Sequence, residues 1–208
     1  MTTPVAAIIP VGTLEDAKTR LGRALDAEER QDLAERLVRR TVTAALGVDG
    51  LTDVLVISPD REVLRVAADL GARTLRQRTH GLNAGLVEAR DDAVAGGANA
   101  LIVLPIDLAF VSTETVEAVL AGLTETPEPA VVVLVSDRHG TGTNVLALRP
   151  PSVIDFRFGA ESRRAHRDAA VAAQATYIEI DGPLIFDIDT PADLVLVESI
   201  EAEGTLAG

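Results

Sequence analysis

The sequence predicts a single α/β domain spanning residues 1–208, built on a mixed, mainly parallel sheet with helices on both faces. Three observations predict it. Strand-like and helix-like segments alternate along all 208 residues. The runs Val5 to Val11, Leu101 to Pro105 and Ala130 to Val135 are apolar or nearly so throughout, as strands covered on both faces must be. One strand pair is joined by a glycine-rich turn too short for a helical crossover, so those two strands run antiparallel or form an irregular hairpin. The length suits one domain with a real core and is short for two.

Each element has a local reason. Val5 to Val11 forms the first buried strand. Asp26 and Glu29 make a capping box, and Leu33, Leu37, Val38, Thr41, Ala44 and Ala45 recur at helical spacing, which predicts a helix over 27–46. A strand at Val54 to Ser58, a helix near Glu62 to Leu70 and a short strand at Arg73 to Leu75 follow. The next helix runs from Leu82 to Ala95 and is closed by Gly96 and Gly97. Ala100 to Leu104 is wholly apolar and belongs in the middle of the sheet. Ser112 caps a helix ending near Leu123, and the strands Ala130 to Val135 and Val145 to Leu148 flank Asp137-Arg-His-Gly-Thr-Gly-Thr-Asn144. After Pro150 and Pro151 come a helix at Ser162 to Ala173 and a strand at Tyr177 to Ile180. The last helix has Thr190 as N-cap, Pro191 at its first position and Asp193 three residues after the cap.

Composition removes several function classes. The net charge is −13, and five aromatic residues cannot supply a stacking platform for bases, so nucleic acid is not an expected partner. The apolar runs are far shorter than the roughly 20 residues a bilayer span needs, so no membrane association is expected. The first residues lack a basic n-region, and the chain has no cysteine, which together predict a cytoplasmic protein without disulfides or thiolate metal sites. A helix rich in Ala and Val suits the core and an interface between two copies equally well, leaving monomer and homodimer both open.

Two acidic features stand at strand ends. Asp107 lies just beyond the central strand, at the edge where open α/β sheets bind ligands. Asp187 and Asp189, two apart in extended chain, face one way while Phe186 and Ile188 face the other. Like charges clustered in this way raise one another's pKa and cost stability, a cost that a divalent cation removes. Hard oxygen donors suit Mg²⁺, which keeps several waters and is completed by phosphate oxygens. Each feature taken alone also fits a solvated strand end.

Eighteen of the nineteen basic residues are Arg, and the single Lys, Lys18, lies with Arg20 and Arg23 after the first strand. Three cations at the ligand edge of an acidic protein suit an anion, although pairing with Glu15, Asp16 and Asp26 would also use them. Gly140 to Asn144 offers backbone N–H groups and two hydroxyls, as an anion nest or an ordinary tight turn would. Arg157 to Ser162 leads into a helix whose N-terminus suits a carboxylate or phosphate, with N-capping by Ser162 as the simpler reading. There is no Walker loop, no dinucleotide-binding glycine motif, no nucleophile elbow and no cysteine nucleophile. His80, His139 and His166 have no metal-ligand spacing and receive no catalytic role.

As an ordered set these segments resemble the 2-phospho-L-lactate and phosphoenolpyruvate guanylyltransferases of coenzyme F-420 biosynthesis. The resemblance rests on Ile9-Pro-Val with Ala17-Lys-Thr-Arg-Leu21, Val56-Ile-Ser-Pro-Asp60, Gly81-Leu-Asn-Ala-Gly-Leu86, Leu104-Pro-Ile-Asp-Leu108, Asp137 to Asn144, Arg157 to Ser162 and Asp187-Ile-Asp-Thr-Pro191. It implies a nucleotide-diphospho-sugar-transferase-like, Rossmann-like fold, and GTP and a small phosphorylated carboxylic acid as substrates. Asp107, Asp187 and Asp189 would match the Mg²⁺ ligands. Thr143 or Asn144, Gly159 and Ser162 would match the acceptor site; Lys18 and Arg20 would lie near the triphosphate, and the Asn83 segment near the guanine nucleoside. Gly12 stands where many relatives carry Lys, which places more of the phosphate contact on Lys18 and Arg20. Two readings stay open beside this one: a nucleotidyltransferase for a sugar phosphate or a molybdenum-cofactor precursor, and a catalytically silent nucleotide-binding subunit.

Overall fold

The computed structural model describes residues 3–14, 21–22 and 25–202. Seven strands form one sheet: β1 (Val5–Pro10), β2 (Leu51–Ser58), β3 (Arg73–Arg76), β4 (Ala100–Val103), β5 (Val131–Ser136), β6 (Thr143–Arg149) and β7 (Thr176–Glu179). Their order across the sheet is β3-β2-β1-β4-β6-β5-β7. Every neighbouring pair is parallel except those made by β6, which runs antiparallel to β4 and to β5. The turn between β5 and β6 imposes this: about six residues cannot carry a chain back along the sheet for a parallel return.

Among the described residues six α-helices cover the sheet: α1 (Ala27–Leu46), α2 (Arg61–Asp69), α3 (Leu82–Ala95), α4 (Thr113–Thr124), α5 (Ser162–Ala172) and α6 (Pro191–Ala202). The expected capping box of α1 is present, with Asp26 accepting from the Glu29 amide and Glu29 from the Asp26 amide. The period-two alternation of strand side chains sorts the core into two layers. Val5, Ala7 and Ile9 of β1 pack with Val38 and Val42 of α1, Val63 of α2 and Val116 and Leu123 of α4. Ile8 faces the other way, with Leu55 of β2, Leu86 and Ala89 of α3, Ala170 of α5, and Phe156 from the loop before α5. A third cluster joins Leu33 and Leu37 of α1 to Ala109, Ile188 and Val197. It seats α6 beside α1 and anchors the segment that carries the acidic pair.

The predicted fold class and its helices and strands are therefore present, with boundaries shifted by a few residues at most. One start differs: Ser162 is not the cap of α5 but its first residue, and Glu161 precedes it in the left-handed region at φ 56° without a side-chain cap. No helix among the described residues is long and apolar enough to cross a membrane.

Candidate active site

The chain leaving β4 meets the chain entering α6 at the carboxyl edge of the sheet. Leu108 and Asp187 form an antiparallel bridge. The Ala109 amide donates to the Phe186 carbonyl at 2.8 Å, and the Ile188 amide to the Asp107 carbonyl at 2.9 Å. This bridge brings together acids eighty positions apart. Phe186 and Ile188 pack into the third core cluster, and Phe186 meets Phe110 edge-on at 5.7 Å, so the apolar residues of the segment face inward as expected.

Burial, then the neighbouring charges of Asp107 and Asp189, push Asp187 up to about 6. The acids thus share one electrostatic neighbourhood, yet among the described residues no three carboxylate or imidazole groups close on one cation position.

Behind the pair, Asp193 organises the turn into α6. One carboxylate oxygen accepts from the Asp189 amide at 3.0 Å, the Thr190 amide at 2.6 Å and the Thr190 hydroxyl at 2.9 Å. Its other oxygen pairs with Arg138. Burial works to raise the Asp193 pKa, but these hydrogen bonds and the Arg138 charge outweigh it and hold the carboxyl below its usual range.

The glycine-rich turn is a closed loop around Asp137, whose carboxylate accepts from the Thr141 amide at 2.8 Å and the Thr141 hydroxyl at 3.3 Å. Gly142 has to lack a side chain: a Cβ there would stand 2.7 Å from the Asp137 Oδ2. The loop also reaches α5, where the Arg163 amide donates to the Thr141 carbonyl at 3.1 Å and the Arg163 side chain to the Gly140 carbonyl at 3.1 Å. Thr143 and Ser162 are both nearly buried, and Gly159 adopts φ 134°, which side-chain-bearing residues rarely reach. A Cβ at Gly159 would meet nothing within 4 Å, so open space lies over that backbone.

Two candidate residues are committed elsewhere. The Asn144 amide donates to the Leu184 carbonyl at 2.9 Å and pins the segment 183–185 to β6. Thr143 instead places its hydroxyl against His166 at 3.0 Å. Asn83 donates to the Phe158 carbonyl and accepts from the Phe158 amide, both at 2.9 Å. Its side chain is therefore a clamp on the loop before α5. The residues just before it, Gly81 and Leu82, do line a cleft of about 330 Å³ with Pro10 to Thr13, Pro59 and Gln77. Gly12 opens into free space there. Lys18, Arg20 and Arg23 lie outside the described residues.

His166 is a residue that sequence reasoning passed over. It is fully buried, with Nδ1 at 3.0 Å from the Thr143 hydroxyl and Nε2 accepting from the Arg157 amide at 2.9 Å, while Phe158 packs edge-on against its ring. Burial, with help from the Arg157 charge, lowers its pKa to about 4. The only signal in the sequence is its place one turn after Ser162 on the same helix face.

The comparisons with known proteins agree with this architecture. A phosphoenolpyruvate guanylyltransferase of Rubrobacter xylanophilus is 42% identical over 196 residues, covering 94% of each chain. One from Sphaerobacter thermophilus is 40% identical over 190 residues, covering 90% of this chain and 89% of its own. Among solved structures, a nucleotidyl transferase from Methanothermobacter thermautotroptrophicus superposes with TM-score 0.68 at 15% identity, covering 96% of this chain and 98% of that one. CMP:2-keto-3-deoxy-manno-octonic acid synthetase complexed with CTP has TM-score 0.63 at 15% identity, covering 97% and 99%. At such identities these two bear on the fold alone. The model of the family described as guanylyl transferase CofC like matches residues 5–206, and the chain belongs to that family.

Proposed function

We propose that the protein transfers GMP from GTP to the phosphate of phosphoenolpyruvate and releases pyrophosphate, a reaction in coenzyme F-420 biosynthesis in which 2-phospho-L-lactate is the alternative acceptor. The observation that carries this reading is full-length similarity, at 40% identity and above, to two proteins named phosphoenolpyruvate guanylyltransferase. The half-buried acidic pair at the sheet edge, and the glycine-rich turn tied to it through the Arg138–Asp193 pair, support it.

The reaction needs little side-chain chemistry. A phosphate monoester has its second pKa at about 6, so the acceptor arrives at neutral pH largely as a dianion. One of its oxygens forms a bond to the α-phosphorus of GTP, in line with the breaking bond to the β-phosphate, and the electron pair leaves with pyrophosphate. No proton has to move, so the reaction asks for no general base. The task of the chain is positioning two anions and offsetting their charge.

The donor chemistry at the edge fits a hard cation: burial and then the charges of Asp107 and Asp189 raise Asp187, a state that a cation would relieve. Asp187 and Asp189, with Asp107 beside them, are the residues that would hold Mg²⁺, which needs only one or two carboxylates when phosphates and water complete its shell. When bound, Mg²⁺ supplies charge to the phosphate oxygens of both substrates. Lys18 and Arg20 are assigned to the triphosphate from their place in the sequence. The cleft at Gly12, Gly81 and Leu82 is assigned to the nucleoside, and Thr143, Gly159 and Ser162 at the start of α5 to the acceptor.

Pyrophosphate release tests this reading. Each of GTP, ATP, CTP and UTP is supplied with Mg²⁺ and one of phosphoenolpyruvate, 2-phospho-L-lactate, 3-phosphoglycerate or a sugar phosphate. Release confined to GTP with phosphoenolpyruvate is expected. Release with CTP and a sugar phosphate, or from no pairing in folded protein, would overturn it.

A further inference from the structure

His166 touches two parts of the acceptor site at once, and its hydrogen bonds have a fixed direction. The Arg157 backbone amide can only donate, so Nε2, at 2.9 Å from it, is the nitrogen without a proton. A neutral imidazole then carries its proton on Nδ1, and Nδ1 faces the Thr143 hydroxyl at 3.0 Å. In that contact Nδ1–H donates and Thr143 Oγ1 accepts. The proton of the hydroxyl is consequently unused by the histidine and points to a different acceptor. The ring is fully buried and held edge-on by Phe158, whose backbone is clamped by Asn83, so the arrangement is over-determined.

From this geometry we infer that His166 is a positioning residue for group transfer: it orients the Thr143 hydroxyl as a donor to the anionic acceptor while tying the loop at Arg157 to the same point. The role rests on the acceptor reading proposed above. An alcohol beside a buried histidine could otherwise turn either way, and a hydroxyl presenting its lone pairs would repel a carboxylate or phosphate. Fixing the tautomer removes the wrong orientation before substrate arrives.

Two isosteric variants separate the two bonds. In His166→Asn the amide nitrogen sits where Nδ1 was and still donates to Thr143, but the link to Arg157 is lost. In His166→Gln the amide oxygen sits where Nε2 was and still accepts from Arg157, but Thr143 is released. With GTP saturating, His166→Gln and Thr143→Val are expected to raise the KM for phosphoenolpyruvate by about tenfold, the scale of a hydrogen bond to a charged group. The KM for GTP stays unchanged, His166→Asn raises the KM for phosphoenolpyruvate less than His166→Gln does, and the double variant His166→Gln with Thr143→Val is no worse than Thr143→Val. Additive effects, or an acceptor KM unchanged in folded His166→Gln, would overturn the role and leave the proposed function standing. Absence of transfer by the wild type would remove both. Imidazole ¹⁵N spectra of the wild type at pH 7, with the His166 signals assigned from the His166→Gln difference or, if that variant does not fold, from the ring with the lowered pKa, give an answer without activity. A proton on Nδ1 is expected, and a proton on Nε2 or an imidazolium would overturn the inference.

Discussion

Arg138 and Asp193 form an ion pair that joins the glycine-rich turn to the first turn of α6, and the Asp193 carboxyl is 4% exposed. The same carboxyl holds the Asp189 and Thr190 amides, so the turn that leads to Thr143 and the segment that carries the acidic pair are fixed relative to each other through one side chain. Asp193→Ala leaves those amides and the part-exposed Arg138 without their shared partner and should destabilise the protein by about 2 kcal/mol, read as a lower urea midpoint. Turnover should fall in variants that stay folded, because the acidic segment loses its frame. An unchanged midpoint would show that water replaces the pair at no cost.

Asp187 predicts opposite effects on stability and activity. Its folded pKa, about 6, lies above its ordinary value, so the folded state holds a proton that the unfolded state has lost between those values. Stability of the metal-free protein must then fall as pH rises through that window. In chelator at pH 8, Asp187→Asn should melt higher than wild type, and the difference should vanish near pH 4. The same variant should lose orders of magnitude in transfer rate. Equal melting temperatures at both pH values would remove the electrostatic account of this edge.

His166 predicts acid sensitivity of the opposite origin. Burial lowers its pKa from 6.5 to about 4, so the unfolded state binds the proton more readily. The stability it contributes is fully present above about pH 6.5 and is lost as pH falls towards 4; the shift corresponds to about 3 kcal/mol. Urea unfolding at pH 7 and pH 4 measures this. The drop should shrink in His166→Gln, which has no proton to gain, and an equal drop in both proteins would assign the acid loss to other groups.

Gly142 tests the geometry of the turn. An Ala there would press its Cβ on the Asp137 carboxylate at 2.7 Å, displacing the group that holds the Thr141 amide. Gly142→Ala should cost about 1–3 kcal/mol and raise the KM for the acceptor more than that for GTP. Steady-state kinetics with each substrate varied in turn would show it.

Much of this architecture was legible along the chain. The capping box at Asp26 and Glu29, the alternation of apolar runs and the short β5–β6 turn are local signals, and the structure reproduces each one. Asp107, Asp187 and Asp189 stood out because acids at the ends of apolar strands have no solubility task there. The partners of site residues were not legible. Asn83 meets Phe158 across 75 positions and Thr143 meets His166 across 23; no periodicity links such pairs, because they are set by which helices cover which strands. For the same reason the Phe158 backbone and the Leu184 carbonyl, which Asn83 and Asn144 hold, are not legible as their partners in the sequence. The Leu108–Asp187 bridge, which joins the two acidic segments, is likewise a property of packing.

The central claim is that an acceptor phosphate takes GMP from GTP, and the mass of the product tests it most directly. With GTP, Mg²⁺ and phosphoenolpyruvate, a product of phosphoenolpyruvate plus GMP, formed one for one with pyrophosphate, is the predicted result. GDP with inorganic phosphate, or pyrophosphate accompanied by free GMP alone, would mean that water is the acceptor and would contradict the account.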